Sequence, residues 1–397
     1  MHFPNRREIR RDNFSFGLSV IASELKLSIL IFSLVTFGVV MVTSASSAIS
    51  EHYHHSFSYF TEKQILFDLL GFLFLYISIY IPIRVWYQIA PFLFFLGIIL
   101  LIIILVPFLG HRVKGSSRWI NLGFFRLQAS EPFKLFFILF LSRYLTRNRD
   151  QIKNNLSALI LPLIFLIITS LLLLMEPDYG ATAIIVILTI FLLFLAEANN
   201  YYLTIFLILA ATILFLAAIS SPYRVLRLAT FFNHSSNHQG SSYQISQALV
   251  GLSRGKFAGV GLGMGLQKLG RLPEPHTDFI FSVIGEELGF FGIICLIGLY
   301  FILIVEILRT GWQSGKLKGA LFGRYLAYGI GLWLALQAGI NIGVNLGLLP
   351  TKGLSLPLIS YGGSSSITTL VAFGILLRIR FETRSFNQIS GRRPSFR

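Results

Sequence analysis

Apolar positions along the chain gather into ten long runs separated by short polar stretches. The runs fall at about 27–47, 64–82, 88–109, 132–145, 156–175, 181–197, 201–220, 280–308, 323–345 and 364–381, most of them near the roughly 20 residues that cross a bilayer as a helix. The fourth is short and predicts a span that is tilted or continued by its flanks. Hydrocarbon offers no hydrogen-bond partner, so each run must satisfy its own backbone, as a helix does. The pattern predicts an all-α membrane protein, a polytopic bundle of about ten transmembrane helices. No internal repeat and no soluble domain is apparent. The expected organisation is a tail over 1–26, a transmembrane domain over 27–381 and a second tail over 382–397. One loop of real size, about 221–279, separates the seventh and eighth runs. Its Gly, Ser, Asn and His content marks irregular backbone, with a short interfacial helix expected around Tyr243–Leu252.

Composition supports this reading. Of 397 residues, 54% are hydrophobic and only 13% charged, against about 25% charged in a soluble protein. The formal net charge is nevertheless +16. Such an excess can signal nucleic-acid binding, but here its distribution reads as topology. Arg6, Arg7, Arg10 and Arg11 precede the first run. Arg143, Arg147, Arg149 and Lys153 follow the fourth, Arg309, Lys316 and Lys318 follow the eighth, and Arg384, Arg392, Arg393 and Arg397 follow the last. With ten spans all of these share one side, which the positive-inside rule makes the cytoplasm, with both termini inside. Arg112, Lys114, Arg118 and Arg126 fall on the outer side, where they serve either as interface anchors or as a site for an anionic headgroup. Ser44-Ala45-Ser46 faintly resembles a signal-peptide cleavage site, but the basic region and apolar run before it are too long, so the first span is read as uncleaved. The single cysteine, Cys295, sits inside an apolar run and allows no disulfide within the chain.

Four outer-side clusters carry candidate chemistry. Arg118-Trp119 is followed by Ser130-Glu131 and Lys134, and the spacing of Glu131 and Lys134 lets them neutralise one another on a helix; a structural salt bridge is the plain alternative to a functional role. Glu176-Pro177-Asp178-Tyr179-Gly180 is an acidic tight turn of ordinary composition. Asp278, in Pro275-His276-Thr277-Asp278-Phe279, sits where loop becomes membrane. It can serve as a helix cap, as a carboxylate that partial desolvation makes usable as a general base, or as both at once. His276 beside it is a weaker candidate for a second base or a metal ligand. Glu286 and Glu287 follow. The fourth cluster, Gly347 to Gly353 and then Ser360-Tyr361-Gly362-Gly363, offers backbone N–H groups at a helix start, which suit phosphate, or simple helix punctuation. No nucleophile-elbow serine, metal-ligand spacing, phosphate-binding loop or dinucleotide fingerprint is present. These residues fit an anionic lipid substrate without choosing a reaction.

The same stretches resemble the SEDS family, the peptidoglycan glycosyltransferases that shape, elongate and divide bacterial cells. The resemblance rests on Arg118-Trp119-Ile120, on Ser130-Glu131 with Lys134, on Pro177-Asp178-Tyr179-Gly180, on His276 through Gly289, and on Gly347-Leu348-Leu349-Pro350 through Ser365, in order from the first run to the last. Thr351-Lys352-Gly353-Leu354 and Val40 through Ser46 are more similar to the division branch than to the elongation branch. Two departures stand out: Ala129 where the family usually has Pro, and a His-, Asn- and Ser-rich 233–242 where relatives more often carry acidic residues.

The resemblance implies a multi-pass bacterial inner-membrane enzyme at the division septum. It would polymerise lipid II, the disaccharide-pentapeptide on undecaprenyl pyrophosphate, into β-1,4 glycan with inversion at the MurNAc C1. It implies Asp278 as general base, with Arg118 and Lys352 as candidate partners of the departing pyrophosphate. Ser360, Gly362, Gly363 and His276 are further substrate-binding candidates, and Glu131, Lys134, Asp178 and Glu286 are expected to hold the cavity together. One base suffices, because a pyrophosphate leaves without a general acid and needs only positive charge. No cofactor is required; a divalent cation, Mg or Mn, is an admissible addition, with no legible ligand set. Expected partners are a class B penicillin-binding protein, the septal transpeptidase, with other division regulators and membrane lipid, and no nucleic acid. Two readings compete: a flippase that moves lipid II across the membrane, which polar groups buried mid-membrane would favour, and a non-catalytic scaffold.

Overall fold

Among the described residues, each apolar run folds as a helix. The computed structural model describes residues 24–106, 110–113, 116–121, 123, 126–219, 241–317 and 319–389. Helices α1 (Leu25–His54), α2 (Tyr59–Tyr80) and α3 (Ile83–Leu105) come first. A small sheet follows, then α4 (Ser130–Arg147), a short α5 (Arg149–Asn154), α6 (Ser157–Met175), α7 (Tyr179–Leu195) and α8 (Asn200–Ile219). Beyond the long loop's own helix, α9 (Ser241–Gly255), stand α10 (Ile280–Gly315), α11 (Leu321–Asn345) and α12 (Gly363–Ile389). Among the described residues, α1, α2, α3, α6, α10, α11 and α12 are long and apolar enough to cross a membrane, and α7 and the start of α8 are shorter apolar helices. The protein is therefore a multi-pass membrane protein. α4 stands apart because it buries Glu131 and Lys134 in its first two turns. Of the expected positions, Arg6, Arg7, Arg10, Arg11, Lys114, Lys318, Arg392, Arg393 and Arg397, and loop residues 221–240, lie outside the described residues.

The all-α expectation needs one amendment. Between α3 and α4 lie β1 (Gly110–Val113), β2 (Ser116–Asn121) and β3 (Arg126–Gln128), paired antiparallel in that order. β2 aligns Trp119 with Gln128 and Asn121 with Arg126. Trp119 and Ile120 are residue types that strands favour, but strands this short carry little signal beside strong helical runs.

α12 is the most enclosed of the candidate spans, whereas the most apolar stretch of α10 is the least enclosed. α12 packs along α2, and α10 along α11. The α2–α12 contact is close: a Cβ added at Gly374 would lie 2.5 Å from the Leu75 carbonyl oxygen, as small-residue packing between membrane helices allows. At one end of the bundle, Glu24 pairs with Arg380 and Arg384 of α12, while Glu306 of α10 accepts from Arg309 and Arg380. Some of the basic residues read as topology markers are thus also structural.

α10 is not continuous. Gly289 sits at φ 68°, ψ −164°, a conformation that disfavours any residue with a side chain. A Cβ there would also meet the Gly259 nitrogen at 2.3 Å. The interruption frees backbone groups, and residues 256–261 satisfy them. Phe290 and Phe291 N–H donate to the carbonyls of Lys256 and Phe257, and Val260 and Gly261 N–H donate to those of Glu286 and Glu287. The expected loop helix is present as α9, and the segment after it is stitched into the break.

Candidate active site

Asp278 lies in the turn that leads into α10, half-buried, with its backbone held from α11. Its carbonyl accepts hydrogen bonds from Asn341 Nδ2 at 2.9 Å and Asn345 Nδ2 at 3.0 Å. Its carboxylate faces the Thr351–Leu354 turn: a Cβ built on Gly353 would sit 3.2 Å from Asp278 Oδ2 and 4.0 Å from Arg118 Nη1. That point above Gly353 is within reach of both a base and a cation.

Arg118 arrives from β2. Its Nε donates to the Glu176 carbonyl at 3.3 Å and its Nη2 to the Pro177 carbonyl, which orients the guanidinium. Asp178 caps α7, accepting from Ala181 N–H at 3.2 Å, and accepts from Ser130 Oγ at 2.8 Å. Lys352 is half-buried. Burial pulls its ammonium below the usual lysine range, and the charge of Asp178 partly opposes this. An anion bound here would favour its protonated form.

Glu176 is fully buried, and neither of its carboxylate oxygens has a hydrogen-bond partner. Burial, reinforced by the charge of Asp178 and opposed by Arg118, pushes its pKa up to about 9. The folded protein therefore keeps a proton that the unfolded chain releases. The stability this confers is fully present below pH 4.5 and is lost as pH rises towards about 9. Glu176→Gln, which cannot ionise, is expected to flatten this fall; melting temperatures of the two proteins across that range in detergent check it.

The remaining expected residues fall into the walls. Glu131 and Lys134 pair at 2.8 Å, both buried, and Lys134 also donates to Gln337 Oε1 at 2.7 Å. Removing one partner of a buried pair strands the other charge, at a cost of about 3–5 kcal/mol. Glu131→Ala should thus lower melting temperature and activity together. Activity lost at an unchanged melting temperature would contradict the structural role. Glu286 accepts from Leu266 and Gln267 N–H and pairs with Arg254; Glu287 accepts from Ser44, Lys268 and Gly263 N–H. Both glutamates therefore anchor the loop. Ser360 and His276, expected as substrate contacts, are buried. The Ser360 hydroxyl donates to the Thr277 carbonyl at 2.6 Å and accepts from Leu356 N–H at 2.8 Å. His276 packs against Phe60, ring centroids 4.5 Å apart, and Tyr361. Gly363 opens α12 against Phe67, and Gly362 N–H points to Gln64 Oε1.

The structure adds residues that the loop-centred reading missed. Gln337, Asn341 and Asn345 of α11 are buried, as are Gln64 and Asp68 of α2, where Gln64 Nε2 donates to Asp68 and to Ser366. Polar groups reach further into the bundle than expected. The available signal was amides at four-residue spacing inside an apolar run, which need partners there.

Known proteins resemble this chain over most of its length. A model of the cell cycle proteins FtsW, RodA and SpoVE matches residues 25–385. A probable peptidoglycan glycosyltransferase FtsW of Coxiella burnetii is 44% identical, over 89% of this chain and 95% of that one. A protein of the same description from Legionella pneumophila is 42% identical, over 89% and 90%. A solved peptidoglycan synthase complex, described as coordinating polymerization and crosslinking, contains a chain that superposes with a TM-score of 0.74 at 26% identity, covering 90% of this chain and 98% of that one. The rod shape determining protein RodA of Thermus thermophilus gives 0.66 at 26% identity, over 90% and 96%. The fold and these matches define a polytopic membrane protein of the bacterial cell-cycle class. The chain belongs to the SEDS family of FtsW, RodA and SpoVE.

Proposed function

We propose that the protein is a peptidoglycan glycosyltransferase of the division type, which polymerises lipid II at the outer face of the inner membrane. The observation that carries this reading is the gap above Gly353, bounded by Asp278 Oδ2 at 3.2 Å and Arg118 Nη1 at 4.0 Å. The acceptor's 4-hydroxyl is neutral and needs a base as it attacks the donor's C1. Asp278 takes that proton. The donor's pyrophosphate departs with its bonding electrons, and Arg118 with Lys352 offsets the developing charge. Attack opposite the leaving group turns the α-linked donor into a β-1,4 glycan. The topology that suits this chemistry has ten spans, both termini cytoplasmic and the 221–279 loop periplasmic. Among the described residues no three His, Cys, Asp or Glu side chains converge as a resident cation would require. A Mg or Mn ion, were it to take part, would be held by one or two carboxylates such as Asp278 together with the substrate's pyrophosphate, and would help offset the leaving group's charge.

Both the relatives' names and the likeness to a synthase complex support the reading, and they suggest a septal class B penicillin-binding protein as partner. The deep Gln64–Asp68 pair is the observation that favours transport instead. Purified protein with its cognate penicillin-binding partner, transpeptidation blocked, is expected to convert labelled lipid II into long glycan. Lipid II translocation in vesicles with no polymer from a well-folded complex would establish the transporter. Neither activity would leave a scaffold.

A further inference from the structure

Gln337, Asn341 and Asn345 lie at four-residue spacing on one face of α11, at 0, 2 and 0% exposure. An amide buried in a membrane helix needs partners, and any neighbouring carbonyl would serve. The partners found here are instead the two segments that carry the candidate chemistry. Asn341 Nδ2 donates to the Leu354 carbonyl at 2.7 Å and to the Asp278 carbonyl at 2.9 Å. One amide group thus joins the Lys352–Gly353 turn to the aspartate opposite it. Asn345 continues the chain. It donates to the same Asp278 carbonyl at 3.0 Å, and its Oδ1 accepts from Ser282 N–H at 3.1 Å and Ser282 Oγ at 2.7 Å, in the first turn of α10. Gln337 begins it. Its Oε1 accepts from Lys134 at 2.7 Å and from Trp333 Nε1 at 2.8 Å, while its Nε2 donates to the Ser355 carbonyl at 3.1 Å.

We propose that Asn341 is a positioning residue for glycan polymerisation, setting the separation between the Asp278 carboxylate and the Lys352–Gly353 turn, with Gln337 and Asn345 anchoring the two sides. The inference rests on the reading of Asp278 as base. It also gives the buried Glu131–Lys134 pair a route to the site, through Gln337 and Ser355 rather than by contact with substrate. Both hydrogens of the Asn341 amide are used, so no single hydroxyl replaces it: serine lacks the second donor, and alanine lacks both. Asn341 is almost fully buried and its amide donates to two backbone carbonyls, so its loss should act on the chemical step and spare binding.

The test measures initial polymerisation rates against lipid II concentration for the complex carrying wild-type protein, Asn341→Ala, Asn341→Ser or Asp278→Asn, with melting temperatures alongside. Loss of registration by about 1 Å costs on the order of 10²-fold in rate. Asn341→Ala is therefore expected to lower turnover at saturating lipid II by about that factor, with KM nearly unchanged and Asn341→Ser intermediate. If Asn341→Ala does not fold, Asn341→Ser carries the same comparison. A raised KM at unchanged turnover, or turnover that falls only in step with melting temperature, overturns the proposal. Wild-type rates in the Asn341 variants with an inactive Asp278→Asn overturn it alone. An active Asp278→Asn removes the base assignment and this inference with it.

Discussion

Asp278→Asn should leave a folded, partner-bound protein that still binds lipid II but makes almost no glycan. The substitution is nearly isosteric, and the carbonyl that Asn341 and Asn345 hold is untouched. Only the ability to take a proton is removed. A positioned general base contributes about 10²–10⁴-fold, and a neutral hydroxyl nucleophile should show the upper part of that range. Gel-resolved polymer from labelled lipid II measures the effect, and co-purification with the penicillin-binding partner confirms that the complex survives. Equal polymer from both proteins would keep the enzyme and discard Asp278 as its base. An intact division phenotype in cells carrying the variant would favour a scaffold.

The second large effect is expected from the smallest substitution. Gly353 is exposed and does not adopt a left-handed backbone, so its conformation admits alanine. Its new methyl would nevertheless sit 3.2 Å from Asp278 Oδ2 and 4.0 Å from Arg118 Nη1, in the place proposed for a reacting oxygen. Gly353→Ala should therefore fold normally and lose about 10²-fold or more in polymerisation, because the acceptor is displaced by about an ångström. The contrast is Gly289→Ala, whose methyl would meet loop backbone at 2.3 Å and should lower the melting temperature instead. An active Gly353→Ala would move the reaction away from this gap.

The helices were legible because each apolar run is long and bilayer physics admits one answer for it. Asp278 and Arg118 stood out because charges beside hydrocarbon demand a reason, whereas Lys352 and the roles proposed for all three came from the resemblance to the family. What escaped notice was of three kinds. The three-stranded sheet that presents Arg118 is built from strands of three to six residues, too short for periodicity to stand out. The roles of Ser360 and His276 depended on direction: a serine and a histidine in a glycine-rich neighbourhood look available, and only packing shows both turned into the wall. Asn341 and its neighbours were visible as amides in an apolar run, but the partners that tie them to the site lie far along the chain, from 13 positions for Asn341 and Leu354 to 203 for Gln337 and Lys134. Spacing along one helix names the face and not what it meets.

The broken α10 has a mechanical consequence. An unbroken helix acts as a push-rod, delivering a displacement at one end directly to the other. Here the rod stops at Gly289 against a plate made of the Ile280–Leu288 turns and the 256–261 backbone, riveted by four amide hydrogen bonds across the joint. Asp278 stands at the rim of that plate, while Phe257, Leu262 and Met264 project from the loop's outer surface. Load applied to the lower column is shared with the loop before it reaches the aspartate, and load applied to the loop arrives at the aspartate without first bending the column.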